Sequence, residues 1–492
     1  MGHLELAPEL SPSLAGKPVN EFPLTDTGNA ERFADRHGGA VRFCEPWGRW
    51  LVWAGNRWSE DHTGEVERRA KDTVRSMLAD AAQMNDDTQR QQLAGHARKC
   101  ESQHRRRSMI DLAKSEPGIG IVPDDLDADP WAFNCLNGTL DLRTGELRDH
   151  DPADLITKRA PVVYKPDAEA SRFDKFLREI FDSDDDLIGF MQRFFGLCLT
   201  GDISEQVLPI CYGEGANGKS TLLETVSAVL GDYACDAAPD LLTVKRHSEH
   251  PTQLADLFGR RLVIASETEE SRRLRVQLVK RLTGDRTVKA RLMRQDYFEF
   301  PRTFKVVMVT NNKPVIRETS HAIWRRIRLV PFNVIIADED QDKDLPRKLW
   351  AERAGILRWL VRGCLAWQQD GTLGSAPEIE TATRQYRDEQ DMLGPFLEDR
   401  CTTGPDVWVS RSAIWTAYTE WAKASGERYP LDRVGFYERI RARGIQEKTT
   451  REAGKLARGF AGVGLLNPTG AIENAGVTGV TTLPGLRLKK LP

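Results

Sequence analysis

The eight residues GEGANGKS, Gly213 to Ser220, constrain the fold of this chain more than any others. They fit the pattern G-x-x-x-x-G-K-[ST] and lie between a strand-like run, Val207 to Tyr212, and a helix-like one, Thr221 to Val226. A loop of this kind, in this setting, turns its backbone N–H groups toward a polyphosphate and commits the region to an α/β architecture. Glycines at 213, 215 and 218 permit the tight turn, and the following helix presents its positive end to the same anion. The pattern therefore predicts a nucleoside triphosphate on Gly213, Glu214, Gly215, Ala216, Asn217, Gly218, Lys219, Ser220 and Thr221. Lys219 is expected to reach the β/γ-phosphates, and the Ser220 hydroxyl to hold Mg²⁺.

Kinases, GTPases, motors and switches all share such a loop, and the next hundred residues narrow the choice. An apolar run, Leu262 to Ala265, ends in Ser266-Glu267-Thr268-Glu269-Glu270. Carboxylates at a strand end deliver charge to a metal and to an attacking water. Ser266 occupies the position where an aspartate is usual, Glu267 falls at the water-activating position, and Glu269 or Glu270 is left to supply metal-side charge. The expected metal set is Ser220, Glu267 and Glu269. A third strand, Lys305 to Thr310, delivers Asn311 and Asn312, polar tips suited to sensing a γ-phosphate. Beyond them the run AIWRRIRLVPF carries Arg325 and Arg326, either of which suits an arginine finger acting on a neighbouring subunit's nucleotide.

The order GEGANGKS, RRLVIASETEE, KRLTGDRTVKAR, FKVVMVTNN, AIWRRIRLVPF resembles the superfamily 3 helicases. It looks most like the helicase half of the primase–helicases of satellite phages, plasmids and poxviruses. That resemblance implies an AAA+-like P-loop ATPase core, a ring that is usually a hexamer, and the use of ATP and Mg²⁺. It also implies travel along single-stranded or forked DNA, 3′ to 5′. An N-terminal helicase-associated α+β region and a C-terminal winged-helix-like domain are similar to the family's flanking parts. The expected division is a flexible start at 1–22, the α+β region at 23–165, the ATPase at 170–370, the winged-helix-like domain at 378–466 and a tail at 467–492. Ser266 departs from the family pattern and leaves the metal-side ligand open.

Residues 241–330 hold 20 Lys/Arg against 9 Asp/Glu, in a chain of net charge −3. A basic stretch inside a near-neutral chain is the footprint of contacts to a phosphate backbone. Within it, the segment from Lys280 to Phe298 resembles the family's hairpin that faces the ring channel. Lys289, Arg291, Arg294 and Tyr297 are the candidates for gripping a strand by charge and stacking. Alternation leaves Phe298 and Phe300 open to either a core or a channel role.

At 492 residues with 40% hydrophobic and 29% charged content, the chain has enough apolar material for more than one soluble domain. It lacks an apolar run of membrane-spanning length and a secretory leader pattern, so an intracellular protein of a bacterial host or phage-infected cell is expected. Eight cysteines without a C-x-x-C pair fit a reducing compartment and no zinc ribbon. Trp47, Trp50, Trp53 and Trp58 crowd a strand–turn–strand pattern and read as the core of a small α+β unit. The acidic stretch Asp124, Asp125, Asp127 and Asp129 reads as a turn, so no primase site is expected and a separate primase or replication initiator would be a partner. Two other readings stay open. One is an initiator or loading ATPase without processive unwinding. The other is a P-loop small-molecule kinase, which leaves the arginine cluster and the basic segment unexplained.

Overall fold

The computed structural model describes residues 22–244, 251–267, 272–291, 296–318, 320–374, 376–391, 393–426, 430–452, 455–466 and 472–473. The first unit comprises α1 (Asp26–His37), β1 (Val41–Cys44), β2 (Arg49–Trp53), β3 (Trp58–Glu60), α2 (Glu65–Ala82), α3 (Asp87–Cys100), α4 (Gln103–Ala113) and β4 (Gly120–Ile121). Thr25 starts α1 by accepting the Gly28 N–H on its hydroxyl at 3.1 Å. The sheet runs β3-β2-β1-β4, with β4 parallel to β1 and the other pairs antiparallel. Phe33, Phe43, Val74, Met77, Leu93 and Met109 form the core beneath it. Trp50 meets Phe33 and Phe43, and Trp53 packs on the buried Trp58, whose indole N–H donates to the Pro152 carbonyl at 2.9 Å. Those three indoles serve packing, whereas Trp47 is exposed.

Next comes an antiparallel meander, β5 (Ala132–Cys135), β6 (Gly138–Asp141) and β7 (Glu146–Arg148). Its Phe133, Leu140 and Leu142 join the central core rather than the N-terminal one. The acidic stretch before it is tied into turns. Asp127 accepts the Thr157 N–H at 2.8 Å, and Asp129 accepts the Trp131 N–H at 2.9 Å and pairs with Arg143 at 3.0 Å.

The centre is built from α5 (Ser171–Ile180), α6 (Asp185–Leu197), β8 (Leu208–Tyr212), α7 (Lys219–Leu230), β9 (Ala234–Asp236), β10 (Leu262–Glu267), α8 (Val276–Gly284), β11 (Thr287–Arg291), β12 (Tyr297–Pro301), β13 (Lys305–Thr310), α9 (His321–Trp324) and β14 (Ile327–Pro331). Five strands form one parallel sheet in the order β14-β8-β13-β10-β9. Helices cover both faces, which is why β8, β10 and β13 read as nearly continuous apolar runs. Leu262, Ile264 and Val307 pack toward Leu222 and Val226 of α7. Val263, Ala265, Val306 and Met308 pack on the other face, toward Leu278 and Val279 of α8.

Three helices finish the centre: α10 (Leu345–Ala351), α11 (Arg353–Asp370) and α12 (Pro377–Glu389). α11 lies so close to α6 that a Cβ on Gly196 would strike the Cys364 backbone. α12 packs on β14 and sends Tyr386 against Trp324 in the central core. Residues 371–374 and 376 are anchored as well, since Leu373 and Ala376 are buried and the Leu373 carbonyl accepts from Arg193 Nε at 2.6 Å. The last unit follows as α13 (Gly394–Arg400), β15 (Cys401–Ser410), α14 (Arg411–Ala424), α15 (Arg433–Ala442), β16 (Gln446–Glu452), β17 (Lys455–Leu466) and β18 (Ile472–Glu473). Its antiparallel sheet runs β15-β17-β16, with β18 also on β17, over a core of Phe396, Tyr418, Trp421, Phe436 and Phe460. This core begins at Leu393, not at 378. Among the described residues no helix is long and apolar enough to cross a membrane.

Candidate functional site

The parallel register sets Tyr212, Thr310 and Glu267 side by side at the C-terminal ends of β8, β13 and β10. The loop Gly213 to Gly218 leaves β8 there and turns into α7, with Gly218 as N-cap at φ +80°. Only glycine suits that position, because its φ is left-handed and a Cβ would run into Ile180. A Cβ on Gly213 would likewise meet the Phe332 carbonyl. Ala216 takes φ +58°, a costly conformation for a residue with a Cβ, and the Ile336 N–H pins its carbonyl at 2.8 Å. Asn217 Nδ2 braces the loop on the carbonyls of Glu214 and Phe332.

Lys219 folds back into this loop. Its Nζ donates to the Gly213 carbonyl at 2.6 Å, the Glu214 carbonyl at 3.1 Å and Asn217 Oδ1 at 3.0 Å. The side chain is buried, and burial lowers the pKa of its amine. All three acceptors are neutral, so the cationic form is left for an anion to compensate. Ser220 is exposed at the first turn of α7, and Thr221 is half-buried beside it. Buried lysine, braced turn and open helix end together fit a polyphosphate with a divalent cation near Ser220.

Strand alternation separates the two residues at the end of β10. Ser266 falls on the α7 side of the sheet and is exposed, while Glu267 falls on the α8 side and is 5% exposed. Glu267 Oε2 accepts the Thr243 hydroxyl at 2.7 Å, and Oε1 accepts the Leu242 N–H at 3.3 Å. Burial, with the neighbouring Asp240 carboxyl adding to it and the Thr243 hydroxyl opposing, pushes the Glu267 carboxyl up to about 7. Asp240 itself lies 3.7 Å from Arg272. Thr243 and Asp240 belong to no motif, and nothing in the sequence signalled this clasp. Glu269, Glu270 and Arg294 lie outside the described residues.

Asn311 is exposed directly after β13, where the Thr310 hydroxyl donates to the Asn312 carbonyl at 2.6 Å and stiffens the turn. The two arginines behave differently. Arg326 is buried, with Nε on the Thr283 hydroxyl at 3.0 Å, Nη2 on Gln206 Oε1 at 3.1 Å and Nη1 on the Ala322 carbonyl. Arg325 is exposed, and among the described residues its side chain holds Gln206, at 2.9 Å.

β11 and β12 pair as an antiparallel ribbon with two unlike faces. Val288, Ala290, Phe298 and Phe300 turn inward, and both phenylalanines pack on Phe258. Lys289, Arg291 and Tyr297 turn outward. Lys289 Nζ stands 5.3 Å and the Arg291 guanidinium 5.5 Å from the centre of the Tyr297 ring. The ribbon thus offers one cationic, aromatic surface, and its phenylalanines serve the core.

Residues 30–182 match the family described as "D5 N terminal like". Residues 211–326 match a "Family of unknown function (DUF5906)", which spans the loop, β10, the ribbon, β13 and the arginines. A helicase-named protein of Acanthamoeba polyphaga mimivirus is 24% identical over 427 residues, covering 77% of this chain and 43% of that relative. A helicase-named protein of Frog virus 3 (isolate Goorha) is 25% identical over 393 residues, covering 63% of this chain and 40% of the relative. A primase-named protein of African swine fever virus is 26% identical over 328 residues, with 61% and 34% covered. By name, these relatives are helicases and primases of large DNA viruses. The matches support a primase–helicase family for this chain at low identity. The chain spans well under half the length of these relatives. The apo C-terminal region of NrS-1 is similar at 11% identity and a TM-score of 0.46, over 86% of this chain and 96% of that one.

Proposed function

We propose that this chain is the ATP-driven motor of a replicative DNA helicase of the superfamily 3 type, working intracellularly as a ring of copies, six in number. The observation that carries the proposal is the convergence at one sheet edge. The braced loop with its buried lysine, Glu267 and Asn311 end three adjacent parallel strands, and a cationic ribbon is inserted between β10 and β13. The order β14-β8-β13-β10-β9 supports an AAA+-like P-loop core. Helicase-named relatives support action on nucleic acid.

Bound Mg²⁺ and ATP would supply the cleavable γ-phosphate and the charge that screens it. Lys219 would leave the loop carbonyls for the phosphates, and the Ser220 hydroxyl would help hold the cation. Glu267, freed from Thr243, orients the attacking water, and Asn311 senses the γ-phosphate. Arg325, the exposed member of its pair, reaches the site of a neighbouring copy. Lys289, Arg291 and Tyr297 grip single-stranded DNA, and Arg294 is assigned the same role from its sequence alone. The order α13-β15-α14-α15-β16-β17 supports a winged-helix-like unit for duplex DNA or for assembly.

The test is ATP turnover with and without single-stranded DNA, beside unwinding of a 3′-tailed fork. DNA-stimulated turnover with strand displacement, both abolished by Lys219→Ala, is expected. Stimulation without displacement would make the chain a loader, and turnover indifferent to DNA would return it to small-molecule chemistry.

A further inference from the structure

Beyond the ends of β10 and β13, on the α8 side of the sheet, residues 272–275 run as an extra strand-like segment. The Val244 N–H bonds the Arg273 carbonyl at 2.8 Å, and the Leu274 N–H bonds the Val315 carbonyl at 3.0 Å. A cavity of about 410 Å³ opens there. Arg273, Arg275, Arg281 and Arg317 line it, with Glu318 the one carboxylate among the described lining residues; Arg281 also lies 3.9 Å from Asp285, and Arg275 Nη1 donates to the Leu241 carbonyl at 3.0 Å. Glu318 already pairs with Lys280 and accepts from the Ser320 hydroxyl.

The first turn of α8 also opens into the cavity. Its N-cap is Arg275, no side chain among the described residues caps it, and no acidic residue sits in that turn. This reverses the charge preference of a helix start, where acidic side chains or anions are favoured. Arg273 and Arg317 are close enough that burial and the facing guanidinium both lower the pKa of Arg273. Arg273, Arg281 and Arg317 are exposed around this open concavity, and their shared positive charge at the positive end of a helix favours an anion there.

We propose that this cavity is a second phosphate-binding site, distinct from the loop at 213–220, taking a phosphate group of a nucleotide, whether free or in a strand. Arg273 and Arg317 provide planar forks for charge-assisted hydrogen bonds to its oxygens, and the α8 N–H groups complete the cradle.

The experiment titrates pyrophosphate calorimetrically into the full chain, the double variant Arg273→Gln/Arg317→Gln, the charge-keeping Arg273→Lys/Arg317→Lys, and Lys219→Ala. Two classes of site are expected in the parent. The glutamine pair loses one by at least tenfold in affinity, Lys219→Ala loses the other, and the lysine pair keeps most of the binding. ATP and a thymidine 30-mer identify the source of the phosphate. If the glutamine pair weakens the oligonucleotide and makes its salt dependence shallower, the phosphate belongs to a strand. If it weakens ATP instead, the phosphate is that of a free nucleotide. Unchanged pyrophosphate stoichiometry in the glutamine pair overturns the site. So does equal loss in the glutamine and lysine pairs accompanied by equal falls in melting temperature, since that marks a purely structural role.

Discussion

Lys305 enters the parallel sheet 2% exposed, with no described carboxylate within ion-pair distance. Its Nζ donates to the carbonyls of Thr200 at 2.5 Å, Asp202 at 3.2 Å and Thr303 at 3.3 Å. Burial pushes its amine down to about 7 from an ordinary value of 10.5. Below pH 7 both folded and unfolded chains carry the proton, and the folded state bears the full cost of a buried charge. Between about 7 and 10.5 the unfolded chain binds the proton and the folded one does not, so this group's contribution to stability rises with pH. Urea midpoints of the parent minus those of Lys305→Met should therefore climb from pH 7 toward pH 10. A flat difference would show that the amine titrates normally. At Gly218 the expectation is steric. Gly218→Ala meets both a left-handed φ and the Ile180 side chain, and should cost about 2–4 kcal/mol in urea unfolding while disabling the loop. The arginine pair divides by burial. Arg326→Ala should lower the melting temperature, because it takes a buried donor from the Thr283 hydroxyl and the Ala322 carbonyl and leaves Gln206 to Arg325 alone, whereas Arg325→Ala should leave melting unchanged and, on the proposed function, remove ATP turnover. At this scale the loop was legible, since its glycines and lysine are bound to their neighbours in chain order. The Glu267 clasp was not, because Thr243 and Asp240 approach it only once β9 lies against β10.

The ribbon β11–β12 shows what alternation settles at the scale of an element. Charged residues at 289 and 291 identified the outer face, and register with β12 then sends Phe298 and Phe300 inward and Tyr297 outward. Phe300→Ala should therefore cost about 3–5 kcal/mol of stability, the range for an emptied aromatic site in a core. Lys289→Gln should leave the unfolding free energy within about 0.5 kcal/mol of the parent while weakening single-stranded DNA, most strongly at low salt. Equal loss of stability in both variants would contradict the two-faced ribbon. The tryptophan-rich unit follows the same logic. Three indoles pack inward, and Trp47 stands out because its turn lies outside the strand alternation.

For the whole molecule, the sequence predicted helices and turns after residue 370 but not their allegiance. Gly371 to Pro377 reads as a linker, yet Leu373, Ala376, Ile379 and Tyr386 are all seated in the central cores. Nothing local marks this, because the partners of α12 lie on β14 and α9, many residues earlier. A chain ending at 370 should lose this seal and aggregate or melt early, whereas one ending at 391 should keep a cooperative calorimetric transition. The segment after Asn311 has a related position. Lys313 pairs with Glu389 at 2.9 Å, the Ile316 N–H bonds Gln390 Oε1 at 2.9 Å, and the Arg317 carbonyl takes Arg439 of α15. A single stretch of chain thus runs from the tip of β13 to the last unit.

The seating of α12 also bears on how such a gene can be shuffled. A recombination breakpoint at the glycines of 371–374, the obvious place to cut, would carry the final unit away with a helix that belongs to its donor's parallel-sheet centre. The recipient would be left with an open groove along β14. Exchange that preserves both halves has to fall between α12 and α13, within the short stretch where one core ends and the next begins at Leu393.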